Sequence, residues 1–188
     1  MRMDIKTLDQ ERAEFAYRSV LEVANLSVKD SKGNDRGSEV GSKYRSYVKS
    51  APVLILTNGL GQALAFYRSK IKPEANIVGP NENTDNQNNS VLYTKLPEWI
   101  IKMMTETKTD KTPKFSADRL AYAYLYKHIA EWLGERGLTD GKDPLKAYTE
   151  KNALNAVLLT EETIAFLNWL RRFADAMLEE DKESGEGA

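Results

Sequence analysis

The sequence predicts an all-α fold, a single compact bundle of six to seven helices with a long Asn-rich loop, on three observations. Apolar residues recur at three- and four-residue spacings along most of the chain. Helix-start and helix-stop signals punctuate those runs. No alternating, β-branched strand pattern competes with them. At 188 residues the chain is long enough to bury a real core. The expected organisation is one helical domain over residues 1–180, mostly loop from 71 to 98, with an acidic, disordered tail at 181–188.

Each element follows from local chemistry. Thr7-Leu8-Asp9-Gln10 starts the first helix as a capping box, and Phe15, Val20, Val23 and Leu26 supply its apolar side. "KDSKGNDRGSEVG" reads as a turn-rich connector. A second helix is expected from about Ser42 with Tyr44, Tyr47 and Val48. Another is expected from Ser50-Ala51-Pro52 to about Lys70, because proline suits a first turn. Six asparagines within residues 76–89 mark a polar loop too poor in apolar groups to fold. Helical pattern resumes at "LPEWIIKMMTE". Ser116 caps the strongest helix, which Gly137 ends, and Asp143-Pro144 open the next. Thr160 is expected to cap the last, "EETIAFLNWLRRFADAMLEED".

Composition excludes several chemistries. With no cysteine there is neither a disulfide nor a thiolate metal site, and one histidine makes no zinc cluster. No apolar run approaches the ~20 residues of a membrane span, and the charged N-terminus does not resemble a signal peptide, so a cytoplasmic protein is expected. Charge is uneven. Between Val40 and Lys72, six basic residues (Lys43, Arg45, Lys49, Arg68, Lys70, Lys72) stand without one acid, a net +6, leaving −7 for the rest of a chain totalling −1. Such asymmetry points toward a polyanionic partner; the alternative is a solvated face whose compensating acids lie nearby in the fold.

The stretch "VLILTNGLGQALAF" imitates the glycine loop of a nucleotide enzyme. Leu64, however, stands where a dinucleotide motif needs its third small residue, and no strand–helix alternation surrounds it. A glycine-weakened helix, kinked or closely approached by a neighbour, explains it better. His128, flanked at helical spacing by Tyr124 and Trp132, reads as a structural histidine. Tyr122, Tyr124 and Tyr126 point to different sides of one helix and make no stacking platform together. Glu161-Glu162 fit a helix's first turn without metal chemistry, and Arg171-Arg172 diverge by roughly 100°.

Four segments, "LDQERAEFAY", "YVKSAPVLILTNGLGQALAFYRSK", "AYLYKHIAEWL" and "TEETIAFLNWLRRFADAMLEE", occur in this order. Together they resemble the small helical subunit, conventionally numbered fifth, of the Cmr (type III-B) CRISPR effector complex. The resemblance implies a non-catalytic subunit without cofactor. Its copies would stack head to tail in a minor filament, with other Cmr subunits as partners, and help line the channel of the guide RNA–target RNA duplex. Lys43, Arg45, Lys49, Arg68 and Lys70, with Arg172, are then the candidates for phosphate contacts. Two other readings are a protein-only adaptor and an enzyme working through His128.

Overall fold

The computed structural model describes residues 5–30, 32–71, 96–106 and 116–180. Seven helices run through them: α1 Leu8–Ala24, α2 Gly37–Asn58, α3 Leu60–Ile71, α4 Leu96–Glu106, α5 Ala117–Glu135, α6 Pro144–Glu150 and α7 Ala153–Met177. The one β-like feature among the described residues is an isolated bridge, Lys29–Asp35, in the α1–α2 connector. The all-α bundle is what the sequence predicts. The Asn-rich stretch and the acidic tail fall outside the described residues.

α5 is the axis. Leu120, Ala121, Ala123, Tyr124, Leu125, Tyr126, His128, Ile129, Trp132 and Leu133 are all buried, so the helix is covered on almost every side. α2, α3 and α4 pack on it, while α7 closes the bundle against α1 and α2. α2 runs antiparallel to α7, since Ser38 bonds Glu179 and Arg45 bonds Asp175. The rings of Phe15, Trp132 and Phe166 meet at 5.4–5.7 Å where α1, α5 and α7 converge.

The local signals that depend on a few adjacent residues are realised. Thr7 Oγ1 accepts from the Gln10 N–H at 3.3 Å, and Gln10 Oε1 accepts from the Thr7 N–H at 2.8 Å. Ser116 accepts from the Arg119 N–H. Beyond α5, the Gly137 N–H reaches the Gly134 carbonyl and the Leu138 N–H the Leu133 carbonyl, the paired bonds of a Schellman stop.

Three boundaries differ from expectation. α2 begins at Gly37, five residues before Ser42, and continues through Pro52 without a fresh start. An interior proline costs about 3 kcal/mol by losing its N–H and crowding the preceding turn. Here Val48, Ala51, Pro52 and Ile55 are all buried together, and that packing offsets the loss. The break comes instead at Gly59, whose φ of +84° admits little but glycine. Its N–H closes α2 on the Ile55 carbonyl at 2.8 Å, and its own carbonyl accepts from the Ala63 N–H to open α3. Last, Thr160 caps nothing: its hydroxyl donates to the Ala156 carbonyl within α7, whose N-cap is Asn152, its side chain accepting from the Asn155 N–H. With neither Gly nor Pro between Ala153 and Met177, nothing interrupts the helix there.

The glycine pair is thus a helix–glycine–helix joint. Gly61 has a different reason from Gly59: a Cβ there would lie 2.6 Å from the Tyr148 ring, so α6 seats its aromatic directly on the α3 backbone.

Candidate nucleic-acid interface

The acid-free stretch splits when it folds. Arg68 turns inward, its guanidinium 3.2 Å from Asp143, a carboxylate with no solvent exposure. The same carboxylate accepts the Tyr126 hydroxyl at 2.8 and 2.9 Å and the Leu145 N–H at the start of α6 at 3.0 Å. Burial, then the Asp143 charge, push the Tyr126 phenol far above its ordinary value, so it stays a donor. The knot ties α3, α5 and α6 together. Arg45 pairs with Asp175 at 3.0 Å and reaches the Leu178 carbonyl at 3.3 Å, binding α2 to the end of α7. The compensating acids do lie nearby for these two arginines, although both are distant in sequence.

The other candidates are differently placed. Lys43 is half-buried, and Lys49 and Lys70 are exposed. Lys49 lies one turn beyond Arg45, on the same flank of α2, while Lys43 is on the opposite flank. Lys70 holds its ammonium 5.1 Å from the Phe66 ring centre. Arg172, exposed on α7, borders a shallow groove of about 440 Å³ with Asp9, Ala165, Asn168 and Trp169. The six residues therefore do not form one patch.

Two features lie beyond those candidates. At the end of the bundle where α2 finishes and α7 starts, Val53, Leu56, Leu154, Val157 and Leu158 are exposed, with Leu56 at 71% and Leu154 at 70%. The helical spacing that locates core faces carries no sign telling these leucines from buried ones. At the junction of α2, α3 and α5, Tyr47 and Tyr122 stack at 3.9 Å with an 8° interplanar angle, and Phe66 stands edge-on to Tyr122 at 5.9 Å. Each ring comes from a different helix, so no single segment announces the cluster. Tyr122 indeed makes no platform with its own neighbours in α5; its partner is Tyr47.

The polar groups that invite a catalytic reading are engaged in bonds within the fold. His128 is 1% exposed, with Nδ1 2.8 Å from the Tyr44 hydroxyl and Nε2 3.1 Å from Glu22. A carboxylate only accepts, so Nε2 carries the proton and Tyr44 donates to Nδ1. Burial holds the imidazole below its ordinary value, neutral, even though Glu22 pulls the other way. Burial raises the Glu22 carboxyl, but its bonds to His128 and Lys127 outweigh that and hold it at about 2. Glu162 takes a two-pronged bond from Arg12, 2.8 Å on each arm, and a third from the Trp132 indole at 3.0 Å. Among the described residues, no group of three His, Asp or Glu is set to hold a metal, and no helix is long and apolar enough to cross a membrane.

Comparison with known proteins gives the family. The family described as "CRISPR-associated protein (Cas_Cmr5)" matches in two segments, residues 8–118 and 113–177. The CRISPR system Cmr subunit Cmr5 of Thermus thermophilus is 27% identical over 176 residues, spanning 94% of this chain and 100% of its own length. The X-ray crystal structure of a CRISPR-associated Cmr5 family protein from the same organism superposes with a TM-score of 0.54 at 25% identity, covering 93% of this chain and 100% of that one. The chain belongs to the Cmr5 family of CRISPR-associated proteins.

Proposed function

We propose that the protein is a non-catalytic subunit of a soluble type III-B Cmr effector complex, stacking with neighbouring subunits and copies of itself in the minor filament and presenting basic side chains to the guide–target RNA duplex. The family match along nearly the whole helical body carries this reading. The surface supports it. Exposed leucines and valines at the α2–α7 end are a cost to a solitary chain and an asset at a subunit contact. His128 and Glu162 are consumed by the fold, which leaves phosphate contact rather than chemistry as the task of the outer charges.

Exposure favours some of these contacts over others. Arg45 and Arg68 hold the fold, whereas Lys49, Lys70 and Arg172 are exposed enough to meet phosphate. Three cations per copy bind weakly alone, but repeated along a filament they add through effective concentration. The test is charge reversal, Lys49→Glu with Lys70→Glu, in a complex reassembled from all its subunits. Target-RNA capture falls by about tenfold or more at low salt, and the salt dependence of capture flattens. Unchanged capture and slope would remove the assignment. Impaired assembly with unchanged RNA capture per assembled complex would favour the protein-only adaptor, whose basic face meets an acidic protein partner.

A further inference from the structure

We infer that the ring cluster at the α2–α3–α5 junction is a stacking site for an unpaired nucleotide of single-stranded RNA, with Phe66 as the platform and Lys70 as the phosphate contact. This rests on the reading that the protein handles RNA, and it adds base contact to what has so far been a phosphate-only surface.

The observations converge from independent sides. Phe66 is 40% exposed although it belongs to a cluster that includes Tyr47, Tyr67 and Tyr122, and Tyr47 and Tyr122 are themselves half-open at the surface. The ring that reaches the surface is therefore braced from below, which keeps it presented and limits what is lost on binding. A cation already sits on it: the Lys70 ammonium, 5.1 Å from the ring centre. That contact is weak at an exposed site and the side chain is flexible, so a base can take the ring face while Lys70 swings to the adjoining phosphate.

Inside the same cluster the Tyr67 hydroxyl is buried, with no hydrogen-bond partner among the described residues. The Tyr67 ring packs between Phe66 and Tyr122, which holds the cluster together beneath the surface. Phe66, Tyr67 and Lys70 come from the acid-free stretch, and Tyr47 with them. The carboxylate at the junction, Asp118, accepts the Tyr47 hydroxyl and so fixes the stacked pair. Aromatic rings among lysines match single-stranded nucleic acid, whose bases present free faces; a duplex has none to offer along its length.

The test uses the full chain with a short labelled oligouridine, read by fluorescence anisotropy, and the same oligomer carrying 5-iodouridine for photocrosslinking, both repeated in the assembled complex. Phe66→Leu, which keeps the apolar bulk and removes the aromatic face, weakens binding about 5- to 100-fold. Phe66→Trp restores it, and the crosslink maps to Phe66, Tyr47 or Tyr122. Annealing the oligomer to its complement abolishes the dependence on residue 66. Binding that is indifferent to Phe66→Leu, with crosslinks elsewhere, overturns the stacking site and leaves the phosphate reading intact. No binding of single strand or duplex in either setting overturns both.

Discussion

Arg68 and Lys70 are two residues apart on α3 and meet opposite fates. Arg68 enters a closed knot in which Asp143, Tyr126 and the first turn of α6 answer one another. Lys70, roughly 200° away around the helix, lies over the Phe66 ring, which is 40% exposed. The two regions share α3 and α5, yet one is tied up in internal bonds to a fully buried carboxylate and the other opens to solvent. A cation's worth to the fold is set by what faces it, and a surplus of positive charge in sequence does not distinguish structural cations from those left for a partner.

The largest way to break this contrast is at the knot. Asp143→Ala leaves a buried guanidinium and a buried phenol without their acceptor and removes the α6 cap, so a loss of about 3–5 kcal/mol is expected, read as a lower denaturant midpoint. Lys70→Gln, by comparison, shifts stability by no more than about 0.5 kcal/mol in the same titration. If the two variants lost stability equally, the division into structural and presented cations would be wrong.

A second strike falls about two turns before Arg68 on α3. Gly61→Val drives side-chain atoms into the Tyr148 ring and costs about 1–3 kcal/mol as overpacking. Pairing it with Tyr148→Ala recovers a good part of that loss, and a double-mutant cycle measures the coupling. Additive losses would mean that the ring does not need the glycine.

A smaller, graded effect comes from acid. The folded protein takes up the His128 proton at lower pH than the unfolded chain, whose value is about 6.5, so the stability owed to neutral His128 is complete above that pH and drains as pH falls through it. Glu22, held at about 2 against an ordinary 4.5, adds a second loss over that lower interval. Denaturant midpoints taken from about pH 7.5 down to about pH 3 should show both limbs, and His128→Gln should remove the upper one. A flat profile above pH ~5 would contradict the buried neutral ring. The smallest expected effect on stability belongs to the Lys49→Glu, Lys70→Glu pair, within about 0.5 kcal/mol, while RNA capture falls.

What could be read in advance was what a few adjacent residues decide. Thr7 with Gln10, Ser116, Asp143 before Pro144 and Gly137 all act within one turn of themselves, so their effects were legible. Pro52 and Thr160 misled because their local preferences were overruled, the first by the burial of its whole face, the second by an uninterrupted helix on both sides. The site was legible as a charge imbalance and no further. Arg45 meets Asp175 and Arg68 meets Asp143 across long sequence separations, and Tyr47, Phe66 and Tyr122 assemble from three helices; no window of sequence holds those pairings.

The seating of Tyr148 on Gly61 has a consequence for descent. α6 spans only Pro144–Glu150, too short to persist alone, and it is keyed to the body partly through that ring lying on bare backbone. The two positions should therefore be inherited as a pair. Where a relative carries a small residue at the counterpart of 148, the counterpart of 61 is released to take a side chain, and where the ring is kept the glycine is kept with it. A lineage that changed one without the other would have had to move the short helix first.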